Sequence, residues 1–227
     1  MLPQLKVAII GEYNFTYYSH QATNLALDHT AIFLEIDINY YWIRTSEATL
    51  FKTSQWDQYD AVWIAPGPFA NYFYLHGIIK ELAKLQVPVL MTGDSFKTFI
   101  DMIIVNHNLN PHQEKLISDN LISGSSFEKI NVIPHSKIFI DLLKNHQVDE
   151  FSSSRFSIYP QLLQQITTDI IDVEAYNQFE EPEIISLKNH PFFVAAAYCP
   201  QITSTRELPH PLIYTLMKIG MINKGLI

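Results

Sequence analysis

The stretch Val87-Pro88-Val89-Leu90-Met91-Thr92-Gly93-Asp94-Ser95-Phe96-Lys97 sets a strand against a helix with almost nothing between them. Val89, Leu90 and Met91 form a short apolar run of the kind buried on both faces of a parallel sheet. Gly93, Asp94 and Ser95 interrupt it, and Phe96, Phe99, Ile100 and Ile103 then recur at helical spacing. Such a strand–turn–helix lifts one side chain above the strand's carboxyl end, beside the free N–H groups of the helix. That is where α/β enzymes carry a nucleophile. The residue at this turn is Gly93, which has no side chain to present.

The flanking sequence repeats the pattern. Residues 5–10 are a near-continuous apolar strand closed by Gly11. Tyr18, Ala22, Leu25, Ala26 and His29 then predict a helix with that face inward. Residues 32–43 contain a second strand, in which Ile36, Ile38, Tyr40 and Trp42 alternate. Residues 61–65 form a third, ended by Pro66-Gly67-Pro68, and Leu75, Ile78, Ile79, Leu82 and Leu85 mark the helix before Val89. Strand alternating with helix four times predicts an α/β fold, a doubly wound parallel sheet with ligands beyond the strands' carboxyl ends. Gly11, Gly67 and Gly93 all close such ends and so share one rim.

Beyond Asn106 the pattern loosens into a polar stretch over residues 106–126, and Ser152-Ser153-Ser154 marks another loop. Between them Ser136 is placed to cap a helix containing Ile138, Ile140, Leu142 and Leu143. Strands are expected at 156–159, 170–176, 183–187 and 192–198. A last helix over 211–221 has Pro211 at its first position and Leu212, Leu216 and Ile219 on one face. With no repeat, low-complexity tract or linker, residues 1–227 read as a single domain.

Composition narrows the function. Lys+Arg number 15 against Asp+Glu 23, a net charge of -8 that argues against a nucleic-acid surface. No apolar run approaches the ~20 residues of a membrane span, and the N-terminus lacks the pattern of a secretory signal. The lone Cys199 rules out an internal disulfide and fits a reducing, cytoplasmic setting. His107, His112 and Glu114 are the densest ligand-type cluster, but their spacing matches no metal motif, so no metal or cofactor is expected. Tyr17, Tyr18, Tyr72, Phe73 and Tyr74 could flank a ligand near the rim.

Three stretches together resemble the glutamine amidotransferase domain of CTP synthase, a class I (Cys-His-Glu) glutaminase. They are Lys6-Val-Ala-Ile-Ile-Gly-Glu-Tyr13 with Trp42-Ile43; Ala65-Pro-Gly-Pro-Phe69 with the turn at Gly93; and His190-Pro-Phe-Phe-Val194, Tyr198-Cys-Pro-Gln201, Thr203-Ser-Thr205 and His210-Pro-Leu212. The resemblance implies a flavodoxin-like, mostly parallel sheet with a small antiparallel excursion. It puts Gly93 at the position of the nucleophilic cysteine, Cys199 at the histidine and Gln201 at the glutamate. A thioester mechanism needs a thiolate, a proton acceptor and a carboxylate that orients it, and none stands in place. The oxyanion hole departs too: Pro68 has no N–H to give, and Asp94 brings a negative charge. Arg155, in Ser154-Arg155-Phe156-Ser157, lies where the family has an arginine that helps hold the glutamine carboxylate.

These residues imply a homologue that has lost glutamine hydrolysis and has no catalytic residues at the triad positions. It would bind a small carboxylate or amino-acid-like ligand, or a protein partner or second copy, at a rim of Gly11, Gly67, Gly93, Asp94, Ser95, Arg155 and Cys199. The alternative is an enzyme with rebuilt hydrolase or transferase chemistry using Asp94, Ser95 or Cys199. Gly93-Asp94-Ser95 is similar to the opening of serine esterases, but no Asp-x-x-His follows. The chain also lacks a Gly-x-x-x-x-Gly-Lys-Ser/Thr phosphate loop, so it cannot by itself aminate UTP with ATP.

Overall fold

A computed structural model describes residues 2–122, 127–146 and 149–227; the tail of the polar stretch, residues 123–126, lies outside the described residues. The first half alternates as the apolar runs dictate: β1 (Gln4–Ile10), α1 (Tyr18–Leu34), β2 (Asp37–Ile43), two single-turn helices α2 (Thr45–Ala48) and α3 (Thr53–Trp56), β3 (Ala61–Ile64), α4 (Tyr72–Leu82), β4 (Val89–Thr92) and α5 (Asp94–Asn106). The second half contributes β5 (Glu128–Asn131), β6 (Ile133–Pro134), α6 (Lys137–Leu143), β7 (Asp149–Ser152), α7 (Pro160–Asp169), β8 (Ile171–Tyr176), β9 (Pro182–Leu187), β10 (Phe193–Ala196) and α8 (Pro211–Asn223).

Eight strands form one sheet in the order β2-β1-β3-β4-β10-β9-β8-β6. It is parallel from β2 to β10 and antiparallel from β10 to β6. A separate antiparallel pair, β5 with β7, lies beside it. The fully buried β3 and β4, and β1, buried from Val7 to Ile10, send alternate residues to opposite faces. Ala8, Ile10, Val62 and Met91 pack with α4, α5 and α7 on one face; Val7, Ile9, Trp63 and Leu90 pack with α1, α6 and α8 on the other.

Two expectations need correction. Residues 156–159 are not a strand: Ile158 forms an isolated bridge with Ile117, and Tyr159 is already the N-cap of α7, whose first residue is Pro160. In α1 the inward face is Ser19, His20, Ala22, Thr23, Ala26, Leu27 and Thr30, while Tyr18 and Leu25 are exposed. Small and polar residues let this helix lie close to its neighbours, so apolar periodicity misjudged its rotation. The Ser136 cap forms, its hydroxyl accepting from the Phe139 N–H, but Phe139 and Leu143 point inward and Ile138 and Ile140 outward.

Candidate active-site remnant and adjoining cavity

The turn after β4 keeps its strained shape. Gly93 is buried at φ 60°, ψ -128°, a conformation that glycine adopts at little cost and other residues do not. Its N–H donates to Ala196 O at 3.0 Å and Tyr198 O at 3.2 Å, which ties the turn to the end of β10. A Cβ built here would lie 2.9 Å from both Pro66 Cβ and Pro66 O. The space above the turn is therefore filled by Pro66, main chain and ring together.

The N–H that follows is spent as well. Asp94 N–H donates to Pro66 O at 2.9 Å, so the turn after β3 offers this position an acceptor. An oxyanion hole requires that N–H to be free. His20, buried on α1, fixes the next peptide. Its Nδ1 accepts from the Asn14 N–H at 3.1 Å, so Nε2 carries the proton and donates to Gly67 O at 2.9 Å. Burial lowers the His20 pKa, which favours this neutral form. Tyr17 and Trp42 enclose the ring at 5.3 and 5.0 Å between centroids. Nothing in the motif reading singled out His20.

Cys199 is fully buried, its N–H bonded to Phe151 O at 2.9 Å, and burial, reinforced by the Asp94 charge, pushes its thiol up to about 12. A thiol so placed is not a nucleophile near neutral pH. Gln201 is buried and aims its amide N–H at Ser19 O, 3.4 Å away on α1; its Oε1 has no partner among the described residues. The Ser152 hydroxyl lies over this segment and donates to Ala197 O at 2.8 Å. Ser95 is buried too, with its hydroxyl on Thr92 O at 2.7 Å. The geometry thus joins Gly93 to the Cys199 segment, turns Gln201 away, and leaves neither Ser95 nor Cys199 poised to attack.

Arg155 is already partnered. Its guanidinium donates to Glu181 at 3.0 Å and Glu128 at 3.2 Å and stacks 4.5 Å from the Phe179 ring centroid. Asn177 bridges Glu181 and Glu183 at 3.1 and 2.9 Å. The second oxygen of Glu183 is buried without a partner among the described residues, and burial raises the Glu183 pKa to about 8. The carboxylate-holding corner expected around Arg155 is occupied by this chain's own carboxylates. Gly11 is buried against Ala65, and Gly67 lies against the Asp94 carboxyl, where a Cβ would meet Oδ2 at 2.9 Å.

A second polar cluster escaped the sequence reading because Thr203 and His210 lie 53 or more residues beyond His146 and Glu150. His146 Nε2 and His210 Nε2 approach Glu150 Oε1 at 2.7 and 3.1 Å, and the Thr203 hydroxyl donates to Oε2 at 2.8 Å. The trio has metal-ligand chemistry, but its hydrogen bonds oppose that role. His210 Nδ1 accepts the Leu212 N–H at 3.1 Å as the cap of α8, so its Nε2 is protonated and has no lone pair for an ion. Burial opposes a charge on Glu150, yet the donors around it hold its pKa below the usual glutamate range. The cluster ties the end of α6, β7 and the cap of α8 together.

Of the expected rim residues, Asp94 lines open space. A cavity of about 400 Å³ next to the turn is bounded by Tyr72, His76, Asp94, Lys97, Thr98, Asp101, Asn120 and Phe156. Tyr72 OH donates to Asp94 Oδ2 at 3.3 Å, and burial with the Asp94 charge pushes the phenol up to about 12. Lys97 pairs with Asp101 at 2.7 Å. Burial raises the Asp94 pKa, against the pull of Ser154, Tyr72 and Lys97. Burial likewise lowers that of His76.

In comparisons with solved structures, the chain superposes on the glutaminase domain of Trypanosoma brucei CTP synthase, solved with acivicin bound, with a TM-score of 0.76. That match covers 96% of this chain and 94% of the other at 13% identity. The fold is that of a class I glutamine amidotransferase. A glutamine amidotransferase from Thermotoga maritima shares it with a TM-score of 0.55 and 11% identity, over 98% of this chain and 94% of that one. In sequence the amidotransferase-like chain is 24% identical to a CTP synthase of Prochlorococcus marinus across 97% of its own length, and 22% identical to one of Helicobacter pylori across 96%. It spans 44% and 46% of those relatives, less than half of each. No family model matches the chain.

Proposed function

We propose that this chain is a glutamine amidotransferase-like protein that does not hydrolyse glutamine and acts as a cytoplasmic ligand-binding or regulatory pseudoenzyme. The observation that carries the reading is the Asp94 N–H closed onto Pro66 O above a side-chain-free turn at Gly93. Acyl transfer from an amide needs a nucleophile and a donor pair for the oxyanion, and this turn supports neither. The buried hydroxyl of Ser95 and the buried, high-pKa thiol of Cys199 weigh against rebuilt hydrolase chemistry. The ligand site is the cavity that Asp94 shares with Tyr72, Lys97 and Phe156.

The test is ammonia release from L-glutamine by the purified chain, with a Cys199→Ala control. The expected result is a rate equal to the buffer blank for both proteins. Release above the blank that disappears in the control would sink the proposal. Binding is read separately, as a ligand-dependent rise in melting temperature.

A further inference from the structure

The charge of that cavity reverses the expectation of a carboxylate ligand. Its walls carry two carboxylates, Asp94 and Asp101, against one ammonium, Lys97. Lys97 and Asp101 neutralise each other at 2.7 Å. His76 is held toward its neutral form by burial. Tyr72, Thr98 and Asn120 are uncharged, and Arg155, the cation nearest in sequence to Phe156, is held by Glu128 and Glu181. Among the described residues Asp94 is left as the wall charge without an ion-pair partner, met only by the hydroxyls of Tyr72 and Ser154, the more distant Lys97 and the first turn of α5.

Its hydrogen bonding makes the same point. Among the described residues Asp94 forms no ion pair, and its contact with Tyr72 OH is long at 3.3 Å. The buried Ser154 hydroxyl faces the carboxylate and stabilises its charge, but among the described residues it makes no hydrogen bond within normal distance. A partly desolvated carboxylate with so little compensation costs stability unless a cation meets it. The rings of Tyr72 and Phe156 border the same space, and aromatic faces attract an organic cation. At about 400 Å³ the cavity lies within the range of small-molecule sites.

The geometry points to a small organic cation, an alkyl- or arylalkylamine, bound in the cavity beside Gly93 with its ammonium group on the Asp94 carboxylate and its apolar body between Tyr72 and Phe156. This inference rests on the proposed assignment of the cavity as the ligand site, and adds the sign of the ligand's charge. Three uses of the cavity differ in which group they need. A carboxylate would require Lys97 to leave Asp101, a zwitterion would require that as well as Asp94, and an amine requires Asp94 alone.

The experiment is calorimetric titration of the full chain at pH 7 with four probes: benzylamine, benzyl alcohol, benzoate and L-glutamine. The first three share a ring and differ in charge. Benzylamine is expected to bind about tenfold or more tighter than benzyl alcohol, with benzoate the weakest, a gap of at least ~1.4 kcal/mol. Asp94→Asn should remove that preference while leaving the melting temperature unchanged or higher, since the replacement is neutral. Lys97→Met, which releases Asp101, should tighten benzylamine further. Benzoate or glutamine binding as tightly as benzylamine, or an Asp94→Asn protein that keeps the preference, would overturn the inference and leave a ligand-binding cavity standing. Failure of all four probes at millimolar concentration would overturn both.

Discussion

Gly93→Ala is the smallest change that tests whether the turn has closed. At φ 60°, ψ -128° a side chain brings backbone strain of about 1–3 kcal/mol. The new Cβ would sit 2.9 Å from Pro66 Cβ and Pro66 O, atoms held by the Asp94 hydrogen bond, and such overpacking adds roughly 1–3 kcal/mol. Replacing glycine returns about 0.4–1 kcal/mol through the unfolded chain. The net expectation is a loss of about 1–6 kcal/mol, a large share of the roughly 5–15 kcal/mol that domains possess. Urea unfolding reads it as a lower midpoint with an unchanged slope. A midpoint within about 0.5 kcal/mol of the parent, the range of neutral surface changes, would mean that the turn has room for a side chain. The functional counterpart is the triple variant Gly93→Cys, Cys199→His, Gln201→Glu. It is expected to release no ammonia while folded, because the Asp94 N–H remains on Pro66 O. Measurable glutamine hydrolysis would refute the argument.

Two further outcomes concern buried acids. Glu183 has its pKa raised from 4.5 to about 8 in the fold, so the unfolded chain holds fewer protons between those values and stability falls as pH rises through that window. The shift corresponds to roughly 5 kcal/mol at most. Glu183→Gln should therefore gain on the parent from pH 5 to pH 8.5 in paired thermal melts, and a pH-independent difference would sink the idea. Glu150 works with the opposite sign: its lowered pKa stabilises the fold above the usual 4.5, and that contribution is lost as pH falls and the native carboxylate protonates. Glu150→Gln should cost about 1.5–3 kcal/mol at pH 7, the range for a hydrogen bond to a charged group, and less at pH 3.5; equal costs at both would contradict it.

The parallel half was legible because it obeys a simple rule. Residues 5–10, 61–65 and 89–91 are apolar runs ended by a glycine or by Pro66-Gly67-Pro68, and strands buried on both faces have little other way to be written. The absence of a nucleophile at Gly93 was equally plain. What escaped depends on groups that meet only in three dimensions. Glu150 and His210 are 60 residues apart, and the carboxylates that hold Arg155 lie on β5 and just before β9. Arg155 consequently read as a holder of a ligand's carboxylate, and the rim as a site for a small carboxylate or amino-acid-like ligand. The closing of the turn was invisible for another reason: its bond joins the main chain of Pro66 and Asp94, and no letter of the sequence encodes which way a carbonyl points.

That bond also constrains any route back to chemistry. Since main-chain atoms make it, exchanging the side chains at 66 or 94 leaves donor and acceptor facing each other. Reopening the site means rotating the peptide that carries Pro66 O, and the adjoining plane is pinned by His20 through Gly67 O. Two anchors on separate elements would have to let go in concert before a restored thiol found anything to stabilise its intermediate. Under the proposed function, hydrolysis would come to this turn only through that coordinated rearrangement, while Cys199 and Gln201 serve the bonds they make to Phe151 O and Ser19 O.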